Sequence, residues 1–302
     1  MVNNHKPIIV ILGPTASAKT RFARFLSEKI SAEVVNCDLY QMYKDIKIAT
    51  NKTDTTTFTN AKCHLFDFLN GNDNYSIRNF QEDGRKIINE ILNNNKTPIL
   101  VGGSVLYIMS LLQDYQFTNK RENFDKYLNM SKQERWDLLN KLDPIEAIKL
   151  HPNNERRVLR ALEIFEKEKM SKTEFNSRQS KEMFFKNILF ITLNPNRDEL
   201  IQVINNRVVE QFNNGLKEEA IYILSKYIDS QVTSAIGIKE WKLGLNDSET
   251  IKLIQKHTRN YAKHQLTFIR KIPNNNYFEL DFNNIENTFK NIYEKCIKKY
   301  CC

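Results

Sequence analysis

The sequence predicts an α/β fold: a parallel sheet flanked by helices, built on a phosphate-binding loop (P-loop) and carrying an inserted all-helical subdomain. Three observations predict it. The apolar run Pro7 to Leu12 leads into Gly13-Pro14-Thr15-Ala16-Ser17-Ala18-Lys19-Thr20, after which Phe22, Phe25, Leu26 and Ile30 recur at helical spacing. Strand and helix patterns then alternate as far as Leu112, the signature of βαβ units. From Gln113 to about Lys186 strand signals vanish and charged helical patterns replace them.

Taken in order, Pro7 to Leu12 is the first strand and Arg21 to Ile30 the first helix. Glu33 to Asn36 forms a second strand that ends at Cys37-Asp38. Leu39 to Asn60 is polar and Thr-rich, a loop, and Cys63 to Phe68 reads as a further strand or extended edge. Ser76 suits a helix N-cap ahead of Phe80, Ile87, Ile88 and Ile91. Asn93-Asn94-Asn95 ends that helix, Thr97 to Val101 is another strand, and Gly102-Gly103-Ser104 turns the chain into a helix bearing Leu106, Tyr107 and Met109. Residues 113–186 form the insertion, with helices over Lys132 to Leu142 and Asn154 to Glu168. The strand Ile188 to Leu193 returns to the core, so residues 1–112 and 187–302 make one domain. Helices follow at Asp198–Phe212, Leu216–Tyr227, Ile238–Leu243 and Glu249–Arg270, then a strand at Tyr277–Asp281 and a last helix at Ile285–Lys299.

The early loop carries the first chemical signal. Backbone N–H groups of such a loop and of the following helix N-terminus form an anion cradle. Lys19 adds a point charge, and the Thr20 hydroxyl is placed to ligate Mg²⁺. Ala18 stands where the GxxxxGK[ST] pattern has its second glycine, so it must avoid positive φ or tolerate mild strain. The plainer alternative is a strand-turn-helix corner with an incidental Lys-Thr.

Composition narrows the class. At 302 residues, 41% hydrophobic and 27% charged, the chain is ordinary for a soluble globular protein. Its formal net charge of +9 favours a polyanionic partner such as nucleic acid, although a genome-wide bias toward Lys also explains it. The five cysteines form no CxxC pair with metal-ligand companions, which points to reduced thiols in a cytosolic setting. No apolar run reaches the ~18–20 residues of a membrane span, and no signal peptide opens the sequence.

Further candidates lie where the strands end. Asp38 follows the second strand as Lys19 follows the first, so both face one crevice and Asp38 can serve as general base; a loop Asp that accepts local amides is the alternative. Gly102-Gly103-Ser104 closes a third strand at the same edge, permitting close backbone approach to a ligand or merely a tight turn and cap. Arg156 and Arg160 share a helical face adjoined by Arg157, and a second basic set comprises Lys263, His264, Arg270 and Lys271. Either set suits nucleic acid or a solvated charged face. Cys63-His64 lacks the partners a metal site needs.

In order, GPTASAKT, CDLYQMY, HLFD with NYS, TPILVGGSVLY, HPNNERRVLRALEIF, AIGIKEW and RNYAKHQLTFIR resemble the blocks of tRNA dimethylallyltransferases (tRNA isopentenyltransferases), from about Pro7 to Lys271. The resemblance implies transfer of a dimethylallyl group from dimethylallyl diphosphate to N6 of the adenosine at tRNA position 37, with Mg²⁺ required. Gly13 to Thr20 would then cradle the isoprenoid diphosphate. Lys19 would stabilise the leaving diphosphate, Thr20 hold the metal and Asp38 accept the amine proton. Ser104 would line the channel where the substrates meet, Gln41 touch the target base, and Arg207 flank the diphosphate. Leu39, Tyr40, Lys126, Arg156, Arg157, Arg160, the Ser234–Lys239 segment with Lys239, and Lys263, His264, Gln265 and Arg270 match regions on the RNA side. Departures from the pattern are Ala18, Ala49, Asn51, Ile238, His264 and Phe268. Competing readings are a small-molecule P-loop kinase using ATP, an adenylate isopentenyltransferase acting on free nucleotides, and a non-catalytic RNA-binding protein. A monomer is expected.

Overall fold

The computed structural model describes residues 6–118, 127 and 129–300. It contains a six-stranded, wholly parallel sheet of order β3-β2-β4-β1-β5-β6. The strands are β1 (Ile8–Leu12), β2 (Ala32–Asn36), β3 (Cys63–His64), β4 (Thr97–Val101), β5 (Ile188–Pro195) and β6 (Asn275–Leu280). Every residue of β1, β2 and β4 is buried; β1 is accordingly a continuous apolar run, whereas β2 carries Glu33, paired with His64 and Lys96, and Asn36, bonded to the Asp38 and Leu65 carbonyls.

The helices are α1 (Lys19–Ser27), α2 (Ile77–Asn93), α3 (Val105–Leu112), α4 (Lys132–Leu142), α5 (Pro144–Ala147), α6 (Glu155–Glu168), α7 (Lys172–Ser177), α8 (Arg197–Asn213), α9 (Leu216–Lys226), α10 (Asp247–Ile269) and α11 (Ile285–Ile292). The alternating side chains of β1 divide between the two faces of the sheet. Ile9 and Ile11 join a core with Phe22 and Leu26 of α1 and Phe289 and Ile292 of α11. The rings of Phe22 and Phe289 lie 4.9 Å apart there. Helix α2 lies against β2 and β4 and packs on α3. A Cβ at Gly84 would stand 2.7 Å from Leu111, so glycine is what lets those two helices meet.

The chain divides into two compact units, one running to Leu112 and resuming at Phe185, the other spanning Gln113–Phe184. The second contains α4 to α7 and has its own core of Tyr127, Leu139, Ala147, Leu150, Val158, Ala161 and Leu162. Ser131 opens α4 with a capping box to Glu134, and the apolar face of α6 is Val158, Ala161, Leu162 and Ile164.

Some boundaries depart from sequence expectation for local reasons. The segment expected as strand over Cys63–Phe68 is extended only at Cys63–His64, because Leu65 and Asp67 adopt positive φ (60° and 49°). The expected loop Leu39–Asn60 contains two 3₁₀ turns, Leu39–Met42 and Thr55–Thr57, capped by Asp38 and Asp54. The expected helix Ile238–Leu243 is a 3₁₀ turn, Lys239–Leu243, bracketed by Gly237 and Gly244 at φ 95° and 66°. The last helix is α-helical only to Ile292 and continues as a π turn, Tyr293–Ile297. Ser76 caps α2 through a capping box with Asn79, as its position predicts.

Ala18 sits at φ 56°, ψ 22° immediately before α1, and Ala16 also has positive φ, at 66°. Of the two options the sequence left open, the structure takes strain. A left-handed alanine costs about 1–2 kcal/mol, partly offset by the methyl packing against the core. Ala18→Gly should therefore stabilise the protein by about 0.5–1 kcal/mol, read as a higher urea midpoint at unchanged slope. A lower midpoint would show that methyl packing outweighs the strain.

Candidate active site

Strands β2, β4 and β1 are neighbours in the sheet, and their carboxyl ends release three loops at one edge. The first is the P-loop. Gly13 has φ 150°, and a Cβ there would meet the Ser17 hydroxyl at 2.5 Å and the Leu193 carbonyl at 2.8 Å. The Pro14 carbonyl accepts from Ser17 N at 3.3 Å, Ser17 Oγ at 2.8 Å and Lys19 Nζ at 2.6 Å. These bonds wind residues 13–19 into a closed loop whose fully buried pin is Ser17. Thr20 lies half-buried in the first turn of α1.

Asp38 leaves β2 beside this loop. Its N–H donates to Asn36 Oδ1 at 2.9 Å, while Asn36 Nδ2 donates to the Asp38 carbonyl at 2.9 Å. One carboxylate oxygen, Oδ1, accepts from Tyr40 N at 3.1 Å and caps the 3₁₀ turn. Local capping and placement in the crevice are thus compatible: Oδ1 caps, and Oδ2 makes no hydrogen bond among the described residues. Gly102 allows this junction to lie close against the sheet, because a Cβ there would sit 2.4 Å from the Cys37 carbonyl.

Arg207 of α8 supplies a second cation. Its Nη2 donates to Thr15 Oγ1 at 2.9 Å, and its buried Nε has no hydrogen-bond partner among the described residues. Burial pushes the Lys19 ammonium down to about 8; nearby Asp38 opposes the shift and Arg207 adds to it. Burial also lowers Arg207, against the pull of Asp38. Asp38 is raised above the usual carboxylate range by burial, although the Tyr40 N–H, Lys19, Lys52 and Arg207 all favour its charge. Two crowded cations and one carboxylate, with an orphaned guanidinium nitrogen, make a site with unspent positive charge and a demand for an anion.

A cavity of about 280 Å³ opens on this cluster. Its wall combines Thr15, Asp38, Tyr40 and Arg207 with Ala49, Ala235, Ile236 and Ile254, and is completed by Thr50, Gln211, Ser234, Thr258 and Tyr261. The Ala49 side is fixed from outside: Glu219 accepts from the N–H groups of Lys47, Ile48 and Ala49 at 2.7, 2.8 and 2.8 Å, and Gln211 Nε2 donates to the Ile48 carbonyl at 2.7 Å. Lys52 ties the same loop to the carbonyls of Gln41 and Tyr43 and to Asp67.

Not every candidate reaches the cavity. Ser104 is half-buried ahead of α3, its carbonyl accepting from Ile108 N, and it is not part of the wall. Gln41 is committed elsewhere: its amide donates to the Thr50 carbonyl and accepts from Thr53 N, bracing the loop instead of offering itself to a base. Gln265, grouped by sequence with the basic surface residues, is buried on the inward face of α10 and bonds to the P-loop. Leu39 and Lys239 are half-buried; Lys263, His264 and Arg270 are exposed on or just after α10. In the insertion Arg156 and Arg157 are exposed, whereas Arg160 donates to Thr118 Oγ1 at 2.7 Å and to Glu163. Lys126 lies outside the described residues. Sequence reasoning missed Ile254, Thr258 and Tyr261, although with Gln265 they recur at i, i+4, i+7 and i+11, one face of α10. It also missed Glu219, for which no local pattern gave a signal.

Residues 41–272 match the family model described as IPP transferase. The tRNA dimethylallyltransferase of Oceanobacillus iheyensis is 34% identical over 286 residues, 91% of each chain. That of Bacillus subtilis is 34% identical over 292 residues, 93% of each chain. Among solved structures, the full-length tRNA isopentenylpyrophosphate transferase of Bacillus halodurans superposes with a TM-score of 0.70 at 30% identity, covering 97% of this chain and 98% of that one. A eukaryotic dimethylallyltransferase acting on tRNA gives 0.80 at 28% identity, over 97% of this chain and 77% of the other. By sequence and by fold, the chain belongs to the IPP transferase family.

Proposed function

We propose that this protein transfers a dimethylallyl group from dimethylallyl diphosphate to N6 of the adenosine at position 37 of tRNA, releasing diphosphate. The cavity carries the reading. Thr15 of the phosphate loop, Arg207 and Asp38 share one enclosure with the apolar side chains Ala49, Ala235, Ile236 and Ile254, which suits an anionic head on a short branched hydrocarbon.

The chain's own groups then divide the work. The N6 lone pair attacks C1 of the dimethylallyl group, the C1–O bond breaks, and its electron pair departs with the diphosphate. The N6 proton passes to Asp38, whose buried, proton-hungry carboxylate suits a base toward a weakly nucleophilic amine. Lys19, Arg207 and the loop amides stabilise the charge that grows on the leaving group.

Mg²⁺ is the proposed cofactor. No cluster of three His, Cys, Asp or Glu side chains among the described residues could hold a metal alone. The Thr20 hydroxyl together with diphosphate oxygens fits Mg²⁺, which is typically held by few protein groups plus substrate phosphates and water. Bound there, it would neutralise charge on the leaving diphosphate.

Arg156 and Arg157 of the insertion, and Lys263, His264 and Arg270, are the proposed tRNA contacts, since exposed Arg and Lys side chains bind phosphates. The net charge of +9 supports the partner. The target adenosine must leave its stack to reach Asp38. No helix among the described residues is long and apolar enough to cross a membrane. A cytoplasmic monomer is proposed.

In a turnover assay with radiolabelled dimethylallyl diphosphate, Mg²⁺ and an anticodon stem-loop, label should enter the RNA and should not when the position-37 adenosine is replaced. Label entering AMP, or phosphate moving from ATP without prenyl transfer, would overturn the reading. Asp38→Asn should lower kcat by about 10²–10⁴-fold with little change in RNA affinity. Equal losses in both would remove Asp38 as the base.

Donor binding should also depend on pH with a defined sign. The Lys19 ammonium is charged below about 8 in the free protein, and an anion favours the charged form. Affinity for dimethylallyl diphosphate should thus be full below that value and weaken as pH rises through it, by at most about tenfold per pH unit for one proton. Lys19→Met should abolish this dependence along with most of the affinity; a parent profile flat to pH 9.5 would contradict the assignment.

A further inference from the structure

The Gln265 side chain, 4% exposed, reaches the P-loop and the third loop of the site at once. Its Oε1 accepts the Thr15 N–H at 2.7 Å, and its Nε2 donates to the Gly103 carbonyl at 2.8 Å. Tyr261, one turn earlier on α10, is part of the cavity wall. The amide can sit only one way round: flipped, its NH₂ would confront the Thr15 N–H and its oxygen the Gly103 carbonyl. A Cβ at Gly103 would stand 2.0 Å from Nε2, so glycine there makes room for this contact.

These bonds join pieces that carry different jobs. Thr15 belongs to the donor cradle, where its hydroxyl also accepts from Arg207. Gly103 follows β4 next to Gly102, which packs on the Cys37 carbonyl directly before Asp38. One side chain from a third element therefore fixes the spacing between the diphosphate loop and the edge that holds the base. Lys263 and His264, exposed on the same turn of α10, do not share this contact.

We propose that Gln265 is a positioning residue for the prenyl transfer: it clamps the Thr15 N–H to the Gly103 carbonyl so that the donor's C1 and the base Asp38 are held at reacting distance. The proposal rests on the transferase reading above. It places Gln265 in the chemical step and not on the RNA surface. A misplacement of about 1 Å at such a clamp can cost on the order of 10²-fold in rate.

The test uses the full chain, with three readouts for each variant: kcat in the stem-loop assay, binding of inorganic pyrophosphate by calorimetry, and binding of the stem-loop. Gln265→Met keeps the length and loses both bonds; kcat should fall about 10–10²-fold while pyrophosphate and RNA affinities stay near parental. Gln265→Glu keeps an acceptor for Thr15 but can donate to Gly103 only when protonated. Its kcat, taken as a ratio to the parent at each pH, should rise as pH falls. Packing alone would produce no such trend, so this variant decides the matter if the Met variant fails to fold. Unchanged kcat in Gln265→Met, a pH-independent ratio in Gln265→Glu, or loss of RNA binding with kcat intact would each overturn the proposal. A parent that binds pyrophosphate but transfers no prenyl group would instead overturn the transferase reading itself.

Discussion

Everything at the active edge depends on accommodating Lys19, Arg207 and Asp38 together in a poorly hydrated crevice. Burial disfavours each charge, and the two cations repel one another while the carboxylate attracts both. Such an arrangement is tolerable when an anion completes it, and the partnerless Nε of Arg207 marks where completion is missing. The parallel sheet makes the cluster possible, because β1 and β2, which flank β4, deliver Lys19 and Asp38 to the same edge without long loops.

The second requirement is a stiff apolar wall beside that charge. The loop that carries Ala49 has backbone N–H groups at residues 47–49 that need acceptors. Glu219 takes up all three, and Gln211 and Lys52 satisfy neighbouring carbonyls. What remains facing the cavity from that loop is the Ala49 methyl and Thr50. The polarity of the loop is thus directed away from the cavity, and the enclosure keeps a charged side and an apolar side.

Much of this was legible in the sequence because it is local. The β1, β2, β4 and β5 strands, the Gly13–Thr20 loop and the Ser76 cap each depend on neighbours within a few residues, and each lies where the local pattern placed it. Asp38 was legible from its place after the second strand, and the family resemblance added Arg207. What escaped was set by distant partners. Gln265 looked like part of a basic surface run, yet the face of α10 on which it falls is decided by packing against a loop 250 residues earlier. Gln41 and Glu219 are likewise spent on backbone groups of the 46–53 loop, whose conformation no pattern in that polar, Thr-rich stretch announces. Ala18 was visible as an anomaly, but only the φ of 56° decides between avoidance and strain.

The central claim is that this P-loop receives a prenyl diphosphate and not a nucleotide, because Thr15 of the loop and Arg207 share a cavity with Ala49, Ala235, Ile236 and Ile254. The most direct measurement is calorimetric titration of the protein with a non-hydrolysable dimethylallyl diphosphate analogue, compared with inorganic pyrophosphate and with ATP, all with Mg²⁺. The account predicts that the analogue binds more tightly than pyrophosphate, by up to about 0.8 kcal/mol for each buried methylene-sized group, and more tightly than ATP. ATP binding more tightly than the analogue, or an analogue no tighter than pyrophosphate, would contradict it.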